Sequence, residues 1–375
     1  MRIFDNLNVD FVSKRKMAYI ISGTLILLGL ISLAVRGLEL GIDFKGGTDI
    51  ALKFEQPIDI AQIRTELETL GLGNIEVKTF GGETGLLVRT ELQGLPPQIY
   101  NKVITSIQNS IHKYDKNIKV TISDSSSNSV TFKFADVTAA NKLETRLQND
   151  GYQISRLDDN SIIVRVGIAD WIEEALRNKI PDNHFVIQKE DHVGPKIGKE
   201  LKQDSIIAVI FALAGILIYL GFRFKFVFAL GAVVALFHDV LITLGIFAML
   251  HGIIPGLNLE ITISVVAAFM TIVGYSINDT VVVFDRVREN IKIHKTAPLK
   301  DNINKAINQT MSRTVITSLT TLFTVTVLLF FGGDVLRGFA FALFIGIIVG
   351  TYSSVFVASP FVYEYVQKSK KRIQF

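Results

Sequence analysis

Charge-poor apolar runs constrain this chain more than any other feature. Crossing about 30 Å of hydrocarbon takes roughly 20 predominantly apolar residues in a helix. Six runs meet that length: one between Lys16 and Arg36, then 205–222, 226–249, 261–284, a fifth following Arg313, and 338–363. Lys14, Arg15 and Lys16 precede the first run, as they would in a signal peptide. That run is longer than a signal core and lacks a convincing small-residue cleavage site, so an uncleaved helix is expected. Composition agrees, with 49% hydrophobic and only 20% charged residues, against about 25% charged in soluble domains. The absence of Cys excludes disulfides, thiol catalysis and Cys-based metal sites. Six scattered His argue against a metal centre, and none is expected. A net charge of +4, from 39 basic and 35 acidic residues spread along the chain, is too small for a nucleic-acid surface.

Orientation follows from Lys and Arg in short flanks. Segment 1–16, the turn with Arg223 and Lys225, the connection 285–313 and the tail with Lys368, Lys370, Lys371 and Arg372 carry seventeen of them. Loops 251–260 and 332–337 carry only Arg337. Both termini are therefore expected in the cytoplasm, with 37–204 outside.

Within that outer segment, alternation marks 48–54 as a strand, with Ile50, Leu52 and Phe54 on one face. Pro57 opens a helical pattern through Ile60, Ile63, Leu67 and Leu70 that Gly71 stops. Strands follow at 74–80 and 85–90, a second helix starts near Pro96-Pro97, and a last strand covers 117–122. This is the βαββαβ order of a ferredoxin-like unit. About 80 residues later the pattern recurs. Lys53-Phe54 matches Lys133-Phe134, Ile63 matches Leu143, Leu67 matches Leu147, and Gly71 matches Gly151. The spacing shortens where 86–89 matches 162–165. Two tandem units are expected, 37–122 and 129–192, joined by the serine-rich linker 123–129.

An Asp at a helix centre costs roughly 2.5–3.5 kcal/mol on insertion scales, so such residues default to a functional hypothesis. Asp279 is the strongest case. Thr271, Tyr275, Asn278 and Asp279 are spaced at three and four along span four, and Thr310, Thr314, Thr317, Thr321 and Thr324 repeat likewise in span five, with Arg313 at its cytoplasmic entrance. Two facing polar stripes would make a hydrated proton path; a static interface held by hydroxyls and one ion pair fits the same spacing. His238-Asp239 in span three is a second candidate, although adjacent residues point about 100° apart on a helix and need not touch. Walker A, GxSxG and HExxH patterns are absent, so ATP hydrolysis by this chain is not expected.

Five segments carry a resemblance: GIDFKGGT at 41–48, VGPKIGKEL at 193–201, FHDVLITLGIF at 237–247, GYSINDTVVVFDRVREN at 274–290 and SRTVITSLTT at 312–321. In this order they resemble the SecF side of the SecD/SecF family of protein-export membrane subunits, within the resistance–nodulation–division superfamily. The resemblance covers 1–60 and 185–365. It implies a six-span half that needs SecD for the other six spans, in the bacterial inner membrane with a periplasmic outer region. It also implies use of the proton-motive force to promote preprotein movement through the SecYEG channel, after the SecA ATPase has acted and with YajC nearby. No cofactor is implied. By motif, Asp279 matches the intramembrane carboxylate, Arg313 the basic residue of proton passage, and Asp239 the polar position of span three. Tyr275, Asn278, Thr314, Thr317 and Thr321 fall on the polar stripes, and Phe44, Gly46, Gly47, Gly194 and Pro195 in the structural signatures. The two-unit outer region departs from the family's single outer domain.

The expected architecture is thus an α-helical membrane protein with six transmembrane helices plus an α+β region of two ferredoxin-like βαββαβ units. In segments it reads as a cytoplasmic 1–16, span 17–36, units 37–122 and 129–192, membrane domain 193–367 and tail 368–375. The competing function is half of a proton-driven small-molecule or lipid exporter, with an apolar pocket between the outer units. A third is an assembly factor in which Asp279 and Arg313 form a static pair.

Overall fold

The computed structural model describes residues 7–114, 118–126, 129–149, 152–254 and 257–369. Arg2, Lys370, Lys371 and Arg372, part of the expected linker (Ser127 and Asn128), and the repeat glycine Gly151 lie outside these residues. The chain divides into two compact units, Met1–Phe44 with Glu200–Phe375, and Lys45–Lys199. In order, the elements are α1 (Arg15–Arg36), α2 (Ile42–Lys45), β1 (Gly47–Phe54), α3 (Ile60–Glu68), β2 (Ile75–Thr79), β3 (Gly85–Thr90), α4 (Pro97–Tyr114) and β4 (Val120–Ser125). There follow β5 (Ser129–Phe134), α5 (Val137–Asn149), β6 (Ile154–Asp158), β7 (Ser161–Arg165), α6 (Ile168–Lys179) and β8 (Phe185–Val193). The chain ends with α7 (Pro195–Arg223), α8 (Phe226–Leu250), α9 (Ile263–Ile293), α10 (Leu299–Phe331), α11 (Gly333–Ser353) and α12 (Ser359–Ser369).

Six helices are long and apolar enough to cross a membrane: Val12–Arg36, Pro195–Arg223, Phe226–Leu250, Ile263–Ile293, Leu299–Phe331 and Val335–Ser369. The last joins α11 and α12 through a π-helical turn at Ser354–Ala358. Side chains such as Phe211, Phe222, Phe323 and Phe331 stand exposed on this unit, as hydrocarbon solvent allows. Where α1 crosses α8, a Cβ added at Gly29 would sit 2.8 Å from the Gly245 Cα, so only glycine lets the backbones meet. Helix α10 begins 14 residues before Arg313, so the helix continues on the polar side of Arg313 beyond the apolar run that follows it. Its first turns clamp the N-terminal segment. Asn308 accepts from the Val9 amide at 3.0 Å and donates to the Val9 carbonyl at 2.9 Å, and Lys300 pairs with Asp10 at 2.6 Å. The Lys300 ammonium holds the Asp10 carboxyl well below the usual carboxylate range.

The second unit holds two four-stranded antiparallel sheets, each in ferredoxin-like order but with an exchange. One runs β2-β3-β1-β8 and the other β4-β5-β7-β6. Each half thus supplies its fourth strand to the sheet of the other. This corrects the boundaries 37–122 and 129–192: β8 pairs along β1 from Gly47↔Val193 to Phe54↔Phe185, and β4 pairs with β5. The physical reason is the short connection. Strand β4 ends at Ser125 and its antiparallel neighbour β5 starts at Ser129, so 123–125 and 129 of the expected linker 123–129 lie in paired strands. The expected inner face is present in both copies, with Ile50, Leu52 and Phe54 buried as Val130, Phe132 and Phe134 are. A single buried core runs through both sheets. The opposite face of β1 is buried too. Its Asp49 takes a two-pronged pair from Arg89 on β3, at 2.6 and 2.7 Å.

Candidate functional site

Among the described residues, helix α8 carries the most deeply buried carboxylate of the helix unit. Asp239 is 1% exposed and His238 5%. Their side chains do meet, with His238 Nδ1 2.8 Å from Asp239 Oδ1. The helical-wheel argument separates Cβ directions, not the reach of an imidazole folded back toward its neighbour. The other carboxylate oxygen, Oδ2, accepts from Ser276 of α9 at 2.5 Å and from Ser353 of α11 at 2.8 Å. His238 Nε2 lies 2.9 Å from the Ser22 hydroxyl of α1, which lies 3.2 Å from the Tyr352 hydroxyl. Four helices are thereby joined through one buried ion pair. Ser22, Ser276, Ser353 and Tyr352 escaped the sequence reading because single hydroxyls in apolar helices are common and have no spacing of their own.

Asp279 is the contrast. It is also buried, but its Oδ2 has no hydrogen-bond partner, nor do the buried hydroxyls of Thr280 and Thr314. Such an orphaned oxygen in a span is costly. Among the described residues, no ion pair joins Asp279 to Arg313, whose side chain is exposed. Asn278 and Thr271 are exposed as well, so the expected stripe on α9 splits between a buried Asp279 and an outward Asn278. Tyr275 donates to Ser318 of α10 at 3.1 Å, and Ser318 meets Thr351 of α11 at 2.7 Å. Most threonines of α10 turn inward on their own helix. Thr317 bonds the Arg313 and Thr314 carbonyls, and Thr321 the Thr317 carbonyl. These hydroxyls are spent locally, which leaves Thr314 as the member of that row with a free oxygen.

The glycine signature divides its work. Gly41 donates to the Ile261 carbonyl and Asp43 accepts the Ile263 amide at 2.9 Å, which caps the N-terminus of α9. Phe44 is buried in the core with Phe247 and Ile261. Gly46 and Gly47 both take positive φ, 77° and 119°, and a Cβ on Gly46 would press on the Pro195 Cα at 3.1 Å. Pro195 opens α7, while Gly194 has no contact nearer than 3.6 Å for an added Cβ. In the α+β unit, a cleft of about 310 Å³ is lined by Lys113, Tyr152, Arg165, Asp170, Glu174 and Arg177 among others. That lining is charged rather than the apolar pocket an exporter would need.

Comparison with known proteins agrees with these signatures. A profile of the C-terminal domain of SecD/SecF protein export membrane proteins matches residues 172–368, and one of the SecD/SecF GG motif matches 31–58. The chain belongs to the SecD/SecF family. It is 41% identical to the protein translocase subunit SecF of Rhodothermus marinus, over 97% of this chain and 95% of the relative. Identity to SecF of Calditerrivibrio nitroreducens is 36%, over 95% and 93%. The crystal structure of SecDF, a translocon-associated membrane protein from Thermus thermophilus, matches at a TM-score of 0.65 and 30% identity, covering 98% of this chain. The chain spans 40% of that SecDF chain. With six apolar helices in a SecD/SecF framework, it is a multi-pass membrane protein.

Proposed function

We propose that this chain is the SecF subunit of a Sec preprotein translocase, paired with SecD in the bacterial inner membrane. In this reading both termini are cytoplasmic and the α+β unit is periplasmic. The pair uses the proton-motive force to promote preprotein movement and release at SecYEG, with YajC alongside and with SecA supplying the ATPase that this chain lacks. The observation that carries the proton role is the buried, unpartnered Oδ2 of Asp279 within a spanning helix. Asp279 takes and releases the proton, Arg313 favours its charged form when the helices approach, and Asp239 supports the path from α8. The exposed polar side chains of Asn278 and Arg313 support the SecD pairing, because hydrocarbon leaves them unsatisfied and a partner helix covers them.

The test is gradient-stimulated preprotein export in membranes depleted of this chain and resupplied with variants. Asp279→Asn keeps size and removes titration, so the complex should insert and assemble while stimulation by the gradient is lost. Asp279→Glu should retain part of it. Full export in the double variant Asp279→Asn with Arg313→Gln would overturn the proton role in favour of a static pair.

A further inference from the structure

The hydrogen bonds around His238 can be counted. Four contacts run in series from Asp239 Oδ1: to His238 Nδ1, from Nε2 to Ser22, from Ser22 to Tyr352, and from the Tyr352 hydroxyl to the Ala18 carbonyl at 2.9 Å. Each needs one hydrogen between its two heavy atoms. A neutral imidazole, a serine hydroxyl and a phenol supply three. The fourth must sit on the second ring nitrogen or on Asp239 Oδ1, since Oδ2 already accepts from Ser276 and Ser353. In either placement the His–Asp pair holds one proton and is neutral as a unit, which is also what its burial favours.

We propose that the His238–Asp239 pair is a proton-binding site and that helix α1 reads its occupancy. The proposal deepens the proton-coupled reading and rests on it only for the source of the proton. When the proton leaves, one of the four contacts loses its hydrogen. The bond to the Asp239 carboxylate is charge-assisted and the strongest, and the Tyr352 hydrogen stays on the Ala18 carbonyl. The gap therefore falls beside Ser22, on one of the two contacts that join its α1 side chain to α8 and α11. The crossing at Gly29 and Gly245 has the same sequence offset as the Ser22–His238 contact, so α1 and α8 run parallel in register. Ser22 lies two turns from that fixed crossing. The titratable group in contact with the pair is Tyr352 of α11, stacked on the imidazole at 6.0 Å; on the other packed helices Tyr19 of α1 lies one turn before Ser22 and Asp279 of α9 three residues after Ser276. None of their elements brings a Lys or Arg into hydrogen-bond contact with the pair among the described residues.

The site is read by nitrogen-15 NMR of the full chain in lipid bilayers. Replacing His112, His184, His192, His251 and His294 by Gln leaves His238 as the sole imidazole. Nε2 should carry a hydrogen at neutral pH. Tyr352→Phe shortens the series to two contacts, which a neutral imidazole and Ser22 satisfy alone, so the Nε2-protonated fraction at neutral pH should fall several-fold. A bare Nε2 in the parent at neutral pH, or an unchanged fraction in Tyr352→Phe, would overturn the proposal. Should the five-fold replacement not fold, the difference between parent and His238→Gln spectra isolates the same signal. The measurement uses no gradient and no export, so it can fail while Asp279-dependent export stands, and the reverse.

Discussion

The two units differ in the polar groups they bury among their apolar side chains and in what they leave exposed. In the α+β unit the interior is apolar, and its buried charge, Asp49 with Arg89, is paired at both prongs across neighbouring strands. In the helix unit apolar side chains both fill the interior, as Phe228, Phe247 and Phe284 do, and stand exposed, as Phe211 and Phe222 do, while Ser22, His238, Asp239, Ser276, Asp279 and Ser353 are buried among them. The first unit was shaped by water and the second by hydrocarbon. A buried charge in the first is fully satisfied and serves architecture; in the second, one carboxylate is wrapped in donors and the other keeps an unpartnered oxygen. Burial is common to these charges; hydrogen-bond satisfaction is what separates them.

The most damaging single change to this contrast is Arg89→Met. It leaves Asp49 buried without its partner and should cost the α+β unit roughly 3–5 kcal/mol. Limited proteolysis of the full chain in detergent would show cleavage within 45–199, and adding Asp49→Leu should recover much of the loss. A neutral Arg89→Met would mean that buried charge in this unit is not structural. Next in size is Gly245→Leu, where the added side chain meets the α1 backbone. Overpacking of this kind costs typically 1–3 kcal/mol, and the detergent melting temperature should fall without any change in the proteolysis of 45–199.

What was legible follows the same division. The spans were visible because charge-free runs of that length have one common use, and Asp279 was visible because a carboxylate there is expensive. The βαββαβ order was visible in alternation and in the match of 53–54 with 133–134. Strand exchange was not, because alternation says which face is buried and nothing about which strand lies alongside; β8 reads the same paired to β5 or to β1. The Asp239 cluster was half visible. The pair stood in the sequence, but its three serines came from helices far apart in the chain, and no spacing links Ser22, Ser276 and Ser353. Threonine periodicity misled for a local reason, since those hydroxyls bond the preceding turn of their own helix.

The smallest expected effect is a difference in pH response. Burial pushes the Asp170 carboxyl up, against the opposing Gly167 amide and Arg165 charge, and pushes Glu174 up as well. The folded α+β unit then holds more protons than the unfolded chain above the ordinary carboxylate range, so its stability should fall slightly as pH rises through that window. Asp10 works in the other direction. Its lowered value makes the N-terminal clamp strongest above the ordinary range and weaker as acid protonates it, by a small amount because the pair is solvent-screened. Mild acid, above the ordinary carboxylate range, should therefore slow protease cleavage in 45–199, and only stronger acid, below that range, should speed it near residue 10. Parallel responses at both places would remove the contrast.

Strand exchange also sets a clock. Gly47 at the start of β1 waits for Val193, the residue opposite it on β8. At a synthesis rate of roughly 5–20 residues per second, that interval is about 7–30 s. Until it ends, β1 has an unpaired edge and Phe54 lacks Phe185, whose ring lies 4.9 Å away in the finished unit. Neither half can be cut out as a self-sufficient module, because each would leave with the other's last strand missing. The unit folds late and all together, when the chain is about to begin α7.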